Sequence, residues 1–411
     1  MKFYTSVLPY RGRLLVRGVD KDGAQKKYRI NYKPSLFVPV GKETKYKTLD
    51  GRYVERIKFD SMPEATKWVN EYKNVTNFEY FGNTRHQYPF IADEFKGKID
   101  WDMNKIKLLT IDIECESENG FPSPEKADQP LICITVKDHT TKKIIVFGMG
   151  NFVNDRDDVQ YINCVTETGL VETFTKFWVE YNPDIITGWN VKFFDIPYLM
   201  NRFRYLMGDE WLNQFSPWGV VEQKSASVLF ASREQQVWNI MGVDTLDYLD
   251  LYRKFTFVRR ESYKLDYIGE VELGQNKLDN PYDTFKEFYS NDYQRFVEYN
   301  IQDVELVDKL EDKLQLIALF LTMAYEAKVN YQDVFGQVRI WDCIIYHHLR
   351  SKNIVPPAVQ ESKTSSGYEG AYVKDPVVGF HDWVCSFDLN SLYPHLIMQY
   401  NISPETMVGF E

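Results

Sequence analysis

Nine residues, Ile106-Lys107-Leu108-Leu109-Thr110-Ile111-Asp112-Ile113-Glu114, place the tightest constraint on how this chain can fold. The apolar run reads as a buried strand over 106–114. A strand's period of two then sends Asp112 and Glu114 to one side and Ile111 and Ile113 to the other. Like charges held that close raise each other's pKa and cost stability unless something cationic lies between them. A divalent ion such as Mg²⁺, which prefers hard oxygen ligands, removes the cost. The alternative is a strand on the solvent-facing edge of its sheet, where water screens both acids.

The rest of the chain supplies a setting for that strand. Its 411 residues suit two or three domains, and 44% hydrophobic with 16% aromatic residues exclude a largely disordered protein. From 104 to about 330, strands are expected at 106–114, 131–137, 143–148, 184–187 and 241–245. Helices are expected at 168–181, where Leu170, Phe174, Phe177 and Trp178 recur at helical spacing, and at 194–207, 284–290 and 291–325. This alternation predicts a layered α/β domain with a mixed sheet. Residues 220–240 interrupt it with the pattern of a polar-shouldered hairpin. Residues 1–103 read as a separate mixed α/β domain: strands at Phe3–Leu8 and Tyr28–Tyr32, and a helix at Pro63–Tyr72. A polar linker is expected at Gln360–Gly367 within a 331–380 connecting segment, followed by a strand-rich start over 369–388.

Charge is distributed unevenly. The net charge of −10 disfavours a polyanionic partner at first sight. Yet residues 1–60 carry a net +9, with Arg11, Arg13, Arg17, Lys26, Lys27 and Arg29 among their basic residues, which leaves −19 for the remainder. A basic N-terminal surface can meet a nucleic acid while acids elsewhere hold metal. The five scattered cysteines form no zinc-spaced pair and fit a reducing compartment, and no signal peptide is expected. Leu316–Tyr325 is too short to span a membrane and reads as a core helix.

Two further segments carry acids in suggestive places. Asp195 opens a helix after Phe194, where free amide groups would satisfy it either as a cap or as a pre-organised metal-facing carboxylate. Asn190, just past a strand end, would contact substrate or make a turn. Tyr299 and Asp303 lie four apart on one helical face, so the hydroxyl could orient a water beside the acid; a buried tyrosine with a shoulder aspartate is the structural alternative. Together the four acids suit phosphodiester hydrolysis with two metals, which needs no catalytic histidine.

These motifs carry a resemblance. Asp112-Ile113-Glu114, Gly188-Trp189-Asn190-Val191-Lys192-Phe193-Phe194-Asp195-Ile196-Pro197-Tyr198 and Tyr299-Asn300-Ile301-Gln302-Asp303-Val304 resemble the three exonuclease motifs of family B DNA polymerases, in particular the replicative enzymes of T4-like phages. The resemblance implies an RNase H-like 3′→5′ proofreading domain over 104–330. In it Asp112, Glu114, Asp195 and Asp303 bind two Mg²⁺ ions (or Mn²⁺), Tyr299 positions water, and Phe121 wedges near an unpaired 3′ end. The 220–240 hairpin resembles the element that separates primer from template, and the N-terminal module is expected to return after the nuclease domain. Cytoplasm of an infected bacterium is the implied location, and single-stranded 3′ ends and primer–template DNA the implied partners.

A second motif follows. Asp388-Leu389-Asn390-Ser391-Leu392-Tyr393-Pro394 resembles the first polymerase palm motif, expected here at the end of a strand in a palm segment over 381–411. The likeness makes Asp388 a metal ligand, Leu389 a carbonyl donor and Tyr393 a filter against the 2′-hydroxyl. Tyr368-Glu369-Gly370-Ala371 resembles a template-handling turn, with Ala371 in place of a glycine. No fingers motif and no second palm acid occur in the 411 residues, so a C-terminal polypeptide or a continuation is expected to supply them, and with it any sliding-clamp contact. The exposed apolar run 384–398 would join that interface. RNA binding by the N-terminal domain is a further expectation. The competing readings are a stand-alone nuclease and a non-catalytic nucleic-acid-binding assembly fragment.

Overall fold

The computed structural model describes residues 1–117, 120, 122–227, 234–358, 370–403 and 406. Two compact units divide the chain: residues 1–31 with 90–344, and residues 32–89 with 345–411. The first three strands, β1 (Phe3–Tyr10), β2 (Arg13–Val19) and β3 (Gln25–Ile30), form an antiparallel sheet belonging to the larger unit. The smaller unit pairs β4 (Ser35–Pro39), β5 (Tyr46–Thr48) and β6 (Tyr53–Lys58). Helix α1 (Met62–Tyr72) starts there on an N-cap in which Ser61 accepts from Glu64 N–H, and its Ala65 packs with Leu36, Phe59 and Tyr80. A short helix, α2 (Gln87–Glu94), follows.

The larger unit is built around six strands. These are β7 (Leu108–Cys115), β8 (Leu131–Asp138), β9 (Ile144–Gly148), β10 (Val159–Asn163), β11 (Ile185–Thr187) and, after the β12 (Val221–Ser227)–β13 (Glu234–Ile240) ribbon, β14 (Asp244–Thr245). Their order is β10-β9-β8-β7-β11-β14. Strand β7 runs antiparallel to β8 and parallel to β11, so the sheet is mixed, as the alternation predicts. The acidic strand is thus internal as far as Thr110; past it β7 pairs with β8 alone, and it is the layer over its acids that keeps them from the solvent-facing alternative.

Strand alternation sorts the core. Leu109, Ile111, Ile113 and Cys115 face one layer, packing with Leu170, Phe174 and Trp178 of α3 (Glu167–Tyr181) and Ile196, Leu199 and Phe203 of α4 (Asp195–Met207). Asp112 and Glu114 face the other layer. Short α5 (Asp209–Leu212), then α6 (Tyr248–Phe255), α7 (Leu265–Leu273) and α8 (Phe285–Asn291) lead to the long α9 (Tyr293–Leu314). Phe296, Val297 and Ile301 of α9 pack with Phe288 over Ile144 and Val146. The sheet is therefore covered on both faces by helices, and its acids look at α9.

The helix expected over 291–325 is two helices. Gln315 takes a left-handed conformation (φ 52°) between α9 and α10 (Leu316–Ala327). The break lets the Glu311 carboxylate accept from the free amides of Ile317 (3.0 Å) and Ala318 (3.2 Å), while Tyr248 OH donates to it (3.1 Å). Those amides would otherwise lie unpaired in the core. No helix among the described residues is long and apolar enough to cross a membrane.

Two more corrections concern charge and strand. Arg17, counted above among the basic surface residues, is 2% exposed. Its guanidinium donates to the carbonyls of Pro183 (2.8 Å), Gly242 (2.5 Å) and Asn182 (3.2 Å) and pairs with Asp184, so it ties the β1–β3 sheet to the six-stranded one. The smaller unit continues past α11 (Gln337–Ser351) to β15 (Ile354–Val355), which pairs with β5. There the strand expected to end at Asp388 does not form. A strand needs a neighbour for its backbone groups, and among the described residues 370–388 pairs with none; Val384 and Phe387 are exposed. The helix α12 (Leu392–Tyr400) does form after it. The expected linker 360–367, the hairpin tip 228–233, Phe121 and residues 368–369 of the template-turn motif lie outside the described residues.

Candidate active site

Asp112 and Glu114 of β7 meet Asp303 of α9 with carboxylate oxygens within 4.8 Å of one another. Each acid is held by a different device. Asp112 Oδ2 accepts from Asn300 Nδ2 (2.5 Å), and the Asn300 amide oxygen in turn accepts from Thr135 Oγ1 and from Cys133 Sγ (3.3 Å) on β8. That relay leaves the fully buried Asn300 a single amide orientation, with its donor toward Asp112. Asp303 Oδ2 accepts from Lys277 Nζ, whereas its Oδ1 is buried with no hydrogen-bond partner.

Asp195 stands beside this cluster rather than within its 4.8 Å set. It occupies the first turn of α4, and its Oδ1 accepts the Ile113 N–H (3.2 Å), between the two acids of β7. The last residue of β11 pairs with Thr110, so beyond that point the backbone of β7 has no strand on this side and the carboxylate takes its place. The approach is close. A Cβ on Gly188 would fall 2.4 Å from Ile111 O and 2.3 Å from Val191 Cγ1, so only glycine fits where the chain leaves β11. The loop that follows hangs on Asp247, whose carboxylate accepts from the amides of Asn190, Lys192 and Leu249, each at 3.0 Å. Asn190 itself adopts φ +68°, and its carbonyl accepts from Phe193 and Phe194 N–H. Its backbone makes the turn.

Electrostatics set this place apart. Burial and the nearby charges of Asp303, Asp195 and Glu114 raise Asp112 well above the carboxylate range, against the pull of Lys277. Burial and Asp303 push Glu114 up to about 8, and burial pushes Asp195 to about 7 although the Ile113 amide opposes it. Burial likewise raises Asp303, against the attraction and hydrogen bond of Lys277. One lysine does not neutralise these acids. The donor set (hard oxygens, one of them unpartnered, with excess negative charge) fits divalent cations of the Mg²⁺ type.

Tyr299 sits one turn before Asp303. Its ring packs edge-on against Phe285 and Phe288, both at 6.0 Å, and its hydroxyl accepts from Lys277 Nζ (3.4 Å). Burial raises the phenol to about 12, so at neutral pH it keeps its proton and can donate. Asp388, Leu389 and Tyr393 are exposed in the smaller unit, and among the described residues no other acid joins Asp388 in a cluster. Sequence reasoning missed Lys277 and Asp247. Asp247 had a signal, an acid just beyond a strand end; Lys277, in a polar loop after Gly274, had none.

An α/β domain with carboxylates from its central strand and a covering helix converging on one point is the kind of structure metal-dependent nucleases use. Residues 65–268 match the family described as "DNA polymerase family B, exonuclease domain", and residues 332–411 match "DNA polymerase family B". The chain belongs to DNA polymerase family B. It is 34% identical to the DNA-directed DNA polymerase of Escherichia phage RB69 and 31% identical to that of Enterobacteria phage T4, in each case over 99% of this chain and 48% of the relative. A DNA polymerase delta catalytic subunit from Caenorhabditis elegans is 29% identical over 74% of the chain and 29% of its own length. The chain therefore spans about half the length of the phage relatives it matches.

Proposed function

We propose that the chain is a metal-dependent 3′→5′ DNA exonuclease and forms part of a replicative DNA polymerase. The observation that carries the reading is the convergence of Asp112, Glu114 and Asp303 within 4.8 Å around an unpartnered buried carboxylate oxygen. Two Mg²⁺ ions (or Mn²⁺) would be held by these three acids and Asp195. When bound, such ions supply an activated water and relieve charge on the leaving 3′-oxygen. The protein's share is positioning. Asn300 holds Asp112 in one orientation, the Ile113 amide holds Asp195, and the hydroxyl of Tyr299 together with Lys277 presents donors to a water approaching the scissile phosphate. The substrate is a single-stranded 3′ end or a frayed primer–template, with Phe121 and Asn190 contacting it. The domain division that goes with this reading is an N-terminal domain over 1–103, the nuclease over 104–330, a connecting segment over 331–380 and palm sequence over 381–411.

The match of residues 332–411 to the polymerase family supports a second role. Asp388, Leu389 and Tyr393 belong to a nucleotide-addition site whose other metal-holding acid is not among these 411 residues. The partner is a polypeptide segment carrying that acid, together with a sliding clamp, and the N-terminal domain binds RNA. The location is the cytoplasm of an infected bacterium.

The test is degradation of 3′-labelled single-stranded DNA with Mg²⁺ or Mn²⁺, against the same reaction in EDTA and against a paired primer. Metal-dependent loss of 3′ nucleotides, faster on the unpaired end, is expected. A protein that binds DNA but never cleaves it would overturn the reading in favour of a binding fragment. No templated incorporation is expected from the 411 residues alone.

A further inference from the structure

Helix α9 carries two glutamines, Gln294 and Gln302, that grip the backbone of two different loops. Gln294 meets Val153: its amide oxygen accepts the Val153 N–H (2.9 Å) and its amide nitrogen donates to the Val153 carbonyl (3.1 Å). About two turns further along the helix, Gln302 reaches the loop between α7 and α8. Its Nε2 donates to Asn276 O (3.0 Å) and its Oε1 accepts the N–H of Leu278. The residue bracketed by these two bonds is Lys277. Its own N–H donates to Asp266 Oδ1 (2.8 Å), in the first turn of α7. A primary amide presents donor and acceptor side by side, so one side chain can satisfy two backbone groups at once.

The other end of Lys277 is held by the same stretch of α9. Its ammonium donates to Asp303 Oδ2 and to Tyr299 OH (3.4 Å), and it lies 5.0 Å from the centre of the Tyr299 ring. Backbone and ammonium of one residue are thus both tied to residues 299–303. The tie matters because the loop has no regular structure of its own: neither strand nor helix spans 274–284. A lysine's four-carbon stem is flexible, and its root would move with any drift of that loop. A displacement of about 1 Å at a reacting centre can cost about a hundredfold in rate.

We propose that Gln302 is a positioning residue for the cleavage reaction: by holding the peptides on either side of Lys277 it delivers the ammonium to one place beside Asp303 and Tyr299. It acts through Lys277 rather than on the substrate. The inference rests on the nuclease reading, in which that lysine presents its donors to water near the scissile phosphate. Gln294 makes the same kind of grip on a residue whose side chain is exposed and uncharged, and so provides a matched comparison on the same helix.

The test uses the 411-residue chain and Gln302→Met, which keeps the side chain's length and removes both hydrogen bonds. In EDTA, hydrogen exchange at the Leu278 amide should quicken by about fivefold to tenfold, the loss of one hydrogen bond. Acetic anhydride should also acetylate Lys277 several times faster relative to the other lysines. In Mg²⁺, kcat on single-stranded DNA should fall by about tenfold while KM changes by less than about twofold. A double-mutant cycle then separates positioning from general stability. In the Lys277→Met background, adding Gln302→Met should slow turnover no further, because no ammonium remains to be placed. Gln294→Met should quicken exchange at Val153 and leave kcat as it was. Unchanged exchange at Leu278, equal slowing by Gln302→Met in both backgrounds, or a raised KM with kcat intact would each overturn the proposal. So would a loss of kcat in Gln294→Met equal to that in Gln302→Met. A chain that never cleaves in Mg²⁺ overturns the nuclease reading and this one with it. One that cleaves equally well with and without Gln302 overturns this proposal alone.

Discussion

Asp303 and Asp308 lie five residues apart on α9, and each is 4% exposed, yet their surroundings are opposite. Asp303 faces Asp112 and Glu114 with only Lys277 beside it, and its carboxyl is pushed up. Asp308 accepts from Lys137 Nζ (2.8 Å) and Lys142 Nζ (2.8 Å), with His139 at 3.5 Å. Burial would raise it, but hydrogen bonds from His139, Lys137 and Lys142 outweigh that and hold it far below the usual carboxylate range. One helix thus carries a charge the fold has balanced and a charge the fold has left unbalanced. The first pins α9 to β8. The second is tolerated at a cost to stability, and costs of that kind concentrate where ligands bind.

The sharpest way to break this contrast is to remove the unbalanced acids. Asp112→Ala with Glu114→Ala is expected to lower 3′ cleavage by roughly a thousandfold or more, the loss of several kcal/mol of charge stabilisation. Its melting temperature in EDTA should hold or rise, because repulsion is removed, and Mg²⁺ should stabilise the unaltered chain but not the variant. An unchanged cleavage rate would sink the site assignment. Asp308→Ala should do the reverse. Breaking its buried pair with Lys137 is expected to cost about 3–5 kcal/mol in denaturant unfolding, while cleavage per folded molecule persists. A stability loss in the Asp112→Ala/Glu114→Ala variant equal to that of Asp308→Ala would show the contrast to be false.

Acid should expose the same asymmetry. Asp308 has a folded-state pKa below its unfolded value, so its contribution is complete above about pH 4, the unfolded pKa, and drains away as pH falls further. The unaltered chain should therefore lose stability below that pH more steeply than Asp308→Ala does; parallel curves would refute the role given to Lys137 and Lys142. Tyr299→Phe tests positioning alone. It keeps the ring packed on Phe285 and Phe288 and is expected to slow turnover by about ten- to a thousandfold with DNA affinity nearly unchanged. If affinity falls instead, the hydroxyl serves binding. The smallest effect belongs to Glu311→Ala, which removes the cap of α10 and should cost about 1–2 kcal/mol with no change in turnover per folded molecule.

What the sequence disclosed follows from how far each signal reaches. Strand and helix periods place Asp112 with Glu114, and Tyr299 with Asp303, because those relations are local. The mixed sheet was legible in the same way. Lys277 and Asp247 act on partners 26 and 57 residues away; Asp247 is marked only as an acid past a strand end, and Lys277, in a loop without periodicity, by nothing nearby. Asn300 lay in plain view inside a motif, but its relay from Thr135 to Asp112 is a tertiary fact. Gln315 is no helix breaker by composition; the break depends on Glu311 reaching two amides past it. Arg17 shows the limit of counting charges, since a count takes no account of burial.

The relay through Asn300 also sets an order of events during synthesis. The acids of β7 leave the ribosome almost two hundred residues before Asn300 and Asp303, and domains fold as their sequence emerges. Until α9 docks, Asp112 has no orienting amide and the third carboxylate is absent. On the proposed nuclease reading, a nascent chain stays chemically silent toward DNA until Asp303 has emerged, and cutting becomes available only when α9 closes over the sheet.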